Sequence, residues 1–215
     1  MQRSSVPAPP RRLVIATANP GKLREFRALL RGLPFAPAGL AELNLPSPEE
    51  TGKSFLENAA LKARQAAAFS GCAAVADDSG LEVDALGGAP GIYSARFAGA
   101  GADDAANNAK LVEELRGFPE GARTARYRCA LVLVDPAHAT PLIAEGVWEG
   151  RILDAPRGLG GFGYDPYFWL PALEMTAAEL DADAKNRLSH RGAALRSLRE
   201  QLELRETSAT REPLP

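Results

Sequence analysis

The chain has 215 residues, and 25 Lys and Arg against 27 Asp and Glu give a formal net charge of −2, which excludes a broadly basic nucleic-acid footprint and leaves room only for a local basic pocket. Hydrophobic residues make up 46% and charged residues 24%, ordinary values for a chain that buries a core, so pervasive disorder is excluded. No run reaches the roughly 18 apolar residues of a membrane span, and two histidines with two widely spaced cysteines leave no His-rich metal site, disulfide framework or thiolate zinc site.

Neither nucleic acid nor a membrane is therefore an expected partner, and Cys72 and Cys129 read as reduced, buried thiols of a cytoplasmic protein. Residues 1–11 carry Pro7, Pro9 and Pro10 beside Arg3 and Arg11 without an apolar segment. They read as a disordered extension rather than a secretory signal or a transit helix. Residues 206–215, polar and proline-bearing, read as a flexible tail, so the folded body is expected over 12–205 as a single domain. Leu13 to Thr17 is a short apolar run, consistent with a buried strand. Asn19 then offers an N-cap and Pro20 a first helical residue, followed by Leu23, Phe26, Leu29, Leu30 and Leu33 at helical spacing. Ser54 with Glu57 predicts a capping box opening an alanine-rich helix that ends near Phe69.

Ala73 to Ala76 reads as a strand that ends in two aspartates, and Asp103 to Leu115 as a helix. A long strand over Arg123 to Val134 and another between Pro141 and Ile152 read as a hairpin. A final helix carries Leu188, Leu195, Leu198 and Leu202 on one stripe. Helices alternating with strands, plus that hairpin, predict an α/β fold with a mixed β-sheet flanked by helices.

Four clusters could carry chemistry. Thr17-Ala18-Asn19-Pro20-Gly21-Lys22 places a helix N-terminus after a strand, a natural seat for phosphate; it reads equally as a capped helix with a surface lysine. Glu49-Glu50-Thr51-Gly52 precedes the helix on which Asn58 and Lys62 share a face. Asp77-Asp78-Ser79-Gly80 offers oxygen ligands that suit Mg²⁺ shared with substrate phosphates, or else a solvated turn. Gly158 to Gly163 fits G-x-G-x-x-G, but Pro156 before it and Pro166 after it deny it the strand and helix of a dinucleotide site. A loop that brings Phe162 against a planar ring fits, as does a glycine-rich turn with a core aromatic. Lys185 and Ser189-His190-Arg191 sit at the start of the final helix, and no Ser-His-acid triad can be assembled.

In this order, these clusters resemble the inosine/xanthosine triphosphate pyrophosphatase family. The matching segments are Leu13 to Lys22, Glu50-Thr51-Gly52, Phe55-x-Glu57-Asn58-Ala59, Ala76 to Leu81, Gly87 to Arg96, Gly161 to Pro166 and Ser189 to Gly192. The resemblance implies an elongated two-lobed fold with a nucleotide cleft between the lobes, and a homodimer. It also implies Mg²⁺-dependent cleavage of ITP, dITP and XTP to the nucleoside monophosphate and pyrophosphate. Within Thr17, Ala18, Asn19, Pro20, Gly21 and Lys22, the side chains of Thr17, Asn19 and Lys22 would cradle the triphosphate, with Lys62 adding charge. Glu49 and Asp78 would hold Mg²⁺, with Glu50 the alternative to Glu49, and Asp78 would also be the general base. Ser79 would position substrate, Phe162, Gly163, Tyr164 and Asp165 would embrace the base, and Lys185, His190 and Arg191 would read its edge.

Hypoxanthine and xanthine carry a carbonyl where adenine carries an amino group, so buried donors there would be left unpaired by adenine, at about 1–3 kcal/mol each. The alternative reading is a purine-nucleotide sensor that has lost catalysis, against which both carboxylate clusters stand intact. A pyrophosphatase of pyrimidine or modified nucleotides is disfavoured by the Ser-His-Arg segment and the Gly-Phe-Gly-Tyr-Asp loop.

Overall fold

Seven strands form one mixed sheet among the described residues: β1 (Arg11–Ile15), β2 (Phe35–Gly39), β3 (Ala73–Val83), β4 (Thr124–Val134), β5 (Leu142–Ile152), β6 (Phe168–Leu170) and β7 (Met175–Thr176). Their order is β2-β1-β3-β4-β5-β6-β7, with β2, β1 and β3 mutually parallel and every later pair antiparallel. The helices are α1 (Pro20–Leu29), α2 (Phe55–Ser70), α3 (Asp104–Glu114), α4 (Ala182–Leu188) and α5 (His190–Ala209). This computed structural model describes residues 10–209, without the side chains of 206–209; the readings of residues 1–9 and 210–215 lie outside the described residues. The expected body limits of 12 and 205 fall inside elements, since β1 starts at Arg11 and α5 runs to Ala209.

The alternation of each strand assigns its two faces to different helices. Leu13 and Ile15 of β1 face Phe26 and Leu30 of the α1 region and Leu195 and Leu198 of α5. Val14 and Ala16 instead face Ala59, Ala63 and Ala66 of α2. A third cluster, with Leu81, Val83, Leu111, Leu115, Tyr127, Ile152 and Phe168, packs the far half of the sheet against α3. The 11-residue strands β3, β4 and β5, each about 35 Å long, contribute to both halves, and the site lies where they pass between them.

Several boundaries differ from the sequence reading. β3 does not stop at Ala76 but runs through both aspartates and Ser79 to Val83, paired with β4 throughout, so the solvated-turn reading is excluded. The carboxylates are tolerated there because each finds cationic partners far away in sequence. β2 escaped notice because Pro37 lies in it; as an edge strand it can accommodate proline. Leu188 belongs not to the last helix but to the short α4, where it is exposed, and extended Ser189 separates α4 from α5. Half of the capping box forms: Ser54 Oγ accepts the Glu57 N–H at 3.1 Å, while Glu57 reaches back to the Lys53 N–H at 2.7 Å. Both cysteines are free, Cys129 buried as expected and Cys72 only half-buried.

Candidate active site

The strand-to-helix turn after β1 forms the expected cap, but its lysine is not a surface one. Thr17 Oγ1 accepts the Asn19 N–H and Asn19 Oδ1 accepts the Lys22 N–H, each at 3.1 Å. The Lys22 side chain turns inward to Asp77, at 3.2 Å. Opposite charges surround the mid-strand aspartates on both faces of β3. Asp77 faces α1 and α5, accepting from Arg191 Nε at 3.1 Å, Arg191 Nη2 at 2.9 Å and Ser79 Oγ at 3.0 Å. Burial alone would raise its pKa, but Lys22, Arg191 and Lys62 hold the carboxyl well below the usual carboxylate range.

Asp78 faces α2. Its Oδ1 accepts from Lys62 Nζ at 2.7 Å and its Oδ2 from Asn58 Nδ2 at 3.1 Å. Burial raises its pKa despite Lys62 and Lys22 nearby. Lys62 also donates to Glu50 at 2.8 Å, and Arg96 holds the other Glu50 oxygen at 3.0 Å. Against the opposing effect of burial, the Lys62 charge brings Glu50 down to about 2. Burial disfavours the Lys62 ammonium as well, yet Asp78, Asp77 and Glu50 raise its pKa, so it remains charged.

The opposite wall comes from the loop before β6 and from the α4–α5 junction. Asp165 is buried and accepts from the Phe162 N–H at 2.8 Å, Lys185 Nζ at 2.5 Å and Tyr127 OH at 3.2 Å. These bonds fold the loop back so that the Phe162 ring lies 4.5 Å from Lys185 Nζ and 5.9 Å from the Arg191 guanidinium. The ring rests on the start of α1, where a Cβ at Gly21 would come within 2.7 Å of it. Gly146 of β5 plays the matching role beneath α5: a Cβ there would meet the His190 carbonyl at 2.0 Å, so its absence lets the helix start lie on the sheet. His190 stacks on Tyr127 at 4.8 Å with 10° between the rings. Burial, with Arg191 and Lys185 close by, holds its pKa well below 6.5, so it is neutral.

Asn19, Lys22, Asp78, Ser79, Phe162, Gly163, Tyr164, Asp165, Lys185, His190 and Arg191 thus line one cavity of about 240 Å³. Lys62 lies behind Asp78, and Thr17, Ala18, Pro20 and Gly21 form the turn that supports this wall. Glu49 is the exception among the expected residues: it faces a separate shallow groove with Arg64 and Gln65, while Glu50 lines the cavity. Adjacent loop residues point in different directions, and only Glu50 has Lys62 and Arg96 to neutralise it.

Glu25 was missed by the sequence reading. Its carboxylate bridges Lys185, at 3.0 Å, and Arg191, and those two charges lower its pKa against the effect of burial. Its place one turn after Lys22 on α1 was the available signal. The four bonds of Arg191 to Asp77, Glu25 and Ser79 leave one of its five N–H groups spare, and the two ion pairs of Lys185 leave it one of three.

For a divalent metal the relevant donors are Glu50 and Asp78, two carboxylates drawn to one ammonium. Among the described residues no three His, Cys, Asp or Glu side chains cluster as a complete protein cage. Two carboxylates are a donor set that Mg²⁺ commonly uses, completing its shell with water and substrate phosphate.

The family model described as Ham1 family matches residues 13–201, spanning every element from β1 into α5. A dITP/XTP pyrophosphatase from Thioalkalivibrio sulfidiphilus is 54% identical over 193 residues, covering 89% of this chain and 98% of that protein. One from Ralstonia nicotianae is 55% identical over 204 residues, covering 92% and 100%. The structure of a HAM1 protein from Coxiella burnetii superposes with a TM-score of 0.81 at 45% identity, covering 90% of this chain and 98% of that one. Sequence and fold agree, and the chain belongs to the Ham1 family.

Proposed function

We propose that this chain hydrolyses non-standard purine nucleoside triphosphates (ITP, dITP and XTP) to the nucleoside monophosphate and pyrophosphate. The observation that carries the reading is one cavity with Asp78 between two different walls, a cationic helix N-terminus with Lys22 and an aromatic loop with Lys185, His190 and Arg191. The names of the Thioalkalivibrio and Ralstonia relatives, both dITP/XTP pyrophosphatases, support it.

In the proposed mechanism the triphosphate lies along the start of α1, where backbone N–H groups and Lys22 face it. A water bound to Asp78 attacks the α-phosphorus, and Asp78 accepts its proton. The bond from the α-phosphorus to the bridging oxygen breaks, and pyrophosphate leaves with the electron pair. Lys62 and Asn58 fix both Asp78 oxygens, so the base needs little reorganisation. Mg²⁺, held by Glu50 and Asp78 with Glu50 in place of Glu49, would stabilise charge on the phosphates. The spare N–H groups of Lys185 and Arg191 donate to the purine 6-carbonyl, and Phe162 stacks on the ring. Adenine presents a donor at that position and is disfavoured.

A cytoplasmic, reducing setting is supported by the two free thiols. A homodimer is part of the proposal, with Ile143 and Val147 exposed on the outer face of β5. Product analysis with Mg²⁺ and a panel of ITP, dITP, XTP, GTP, ATP and dTTP tests the reading. Monophosphate and pyrophosphate from the first three, with little from the others, is expected. Tight ITP binding without turnover would favour the sensor reading.

A further inference from the structure

The aromatic loop is also held from α3, by a contact that the proposed chemistry does not use. Asp103 caps α3 by accepting the Ala106 N–H at 2.8 Å, which leaves Asp104, the first helical residue, free of capping duty. Its Oδ2 instead accepts the Gly163 N–H at 2.6 Å. One turn later, Asn108 Nδ2 donates to the Gly163 carbonyl at 2.9 Å and to the Asp104 carbonyl at 2.8 Å. One helical turn thus grips both backbone polar groups of a residue whose φ is +65°, a conformation in which glycine carries little strain.

Gly163 directly follows Phe162, so fixing its backbone fixes the origin of the ring. α3 is itself held firmly: Asn107 accepts the Ala98 N–H at 2.8 Å, Lys110 donates to the Phe97 carbonyl at 2.8 Å, and Leu111 is fully buried. On its other side the ring rests against Gly21 with no room for a methyl group. Its placement therefore depends on α1 and α3 together.

We propose that Asp104 and Asn108 are positioning residues that set the Phe162 ring through Gly163, so that affinity for the base depends on α3 while phosphate chemistry does not. The inference rests on the reading of Phe162 as the platform for the base. Among their bonds none reaches Asp78, Lys22 or Lys62.

The test compares Asp104→Ala, Asp104→Asn and Asn108→Leu in the full chain, by steady-state ITP hydrolysis and by amide exchange over residues 162–165. Asp104→Asn retains an oxygen that can accept the Gly163 N–H, whereas Asp104→Ala does not. Asn108→Leu removes the donor together with an Oδ1 that is buried without a partner, so α3 should stay folded. The expected result for Asp104→Ala and Asn108→Leu is a KM raised about tenfold, with kcat within about twofold of native. Exchange at Gly163 should speed up in both, and Asp104→Asn should return both quantities toward native values. Equal impairment in Asp104→Asn and Asp104→Ala would overturn the proposal, because charge rather than the Gly163 bond would then matter. So would a fall in kcat at constant KM, or unchanged KM in all three variants. If the native chain turned over no purine triphosphate, the functional reading would fail, while exchange at Gly163 would still report separately on the clamp.

Discussion

On the proposed phosphate wall most charged side chains stand on regular structure, Lys22 and Glu25 on α1, Asp77 and Asp78 on β3 and Lys62 on α2, with Glu50 on the loop before α2. Each carboxylate there has at least two donors. The proposed base wall is built from a loop, residues 157–167, tied at intervals to Asp104, Asn108, Ser94, Tyr127 and Lys185. Charge that must be stabilised as a bond breaks gains from groups fixed in advance on rigid elements. Choice among bases depends instead on a shaped surface, which a loop anchored on a scaffold provides. Arg191 and Glu25 join the two walls through charge, the first touching Asp77 and Phe162, the second pairing Arg191 with Lys185, and the Phe162 ring joins them by packing on Gly21.

This contrast separates the expected effects of substitution. The largest belongs to Asp78→Asn, which should lower kcat for ITP by about 10²–10⁴-fold with the thermal melt nearly unchanged; turnover close to native would remove Asp78 as the base. Next is Lys22→Met, expected to raise KM between about tenfold and a hundredfold, with Asp77 still held by Arg191 and Ser79. A smaller effect is expected of Phe162→Ala, about tenfold in the KM of ITP at constant kcat. Inhibition by inorganic tripolyphosphate should not change in that variant, and if it weakened equally the two walls would not be separable.

The smallest effect is on stability. In the unfolded chain the His190 imidazole takes up a proton as pH falls through about 6.5, whereas burial beside Arg191 and Lys185 keeps it neutral in the fold. Protonation therefore favours the unfolded state. The contribution is fully present above about pH 6.5 and is lost below it, by at most about 1.4 kcal/mol per pH unit. Urea unfolding of the native chain and of His190→Asn between pH 5 and 8 should show a shallower acid limb in the variant; parallel limbs would mean that His190 is not the group responsible.

Much of this arrangement was legible in the residues. The capped start of α1, the long β4–β5 hairpin and the failure of Gly158 to Gly163 to open a helix follow from turn chemistry, strand alternation and proline. The course of β3 was not legible. Asp-Asp-Ser-Gly is good turn sequence, and what keeps it extended is pairing with β4 and the partners Lys62 and Arg191, 16 and 114 residues away. Glu49 and Glu50 could not be told apart by spacing, because only the fold places Arg96, 46 residues later, against one of them. Asp104 and Asn108 carried no visible signal either, since their partner is a backbone peptide more than fifty residues away.

The most direct test of the account is ITP hydrolysis in ¹⁸O-enriched water, with both products read by mass spectrometry. Attack at the α-phosphorus by a water held at Asp78 predicts one labelled oxygen in the nucleoside monophosphate and none in pyrophosphate. Label in pyrophosphate, or a diphosphate with labelled phosphate, would place the attack elsewhere and contradict the assignment of the two walls.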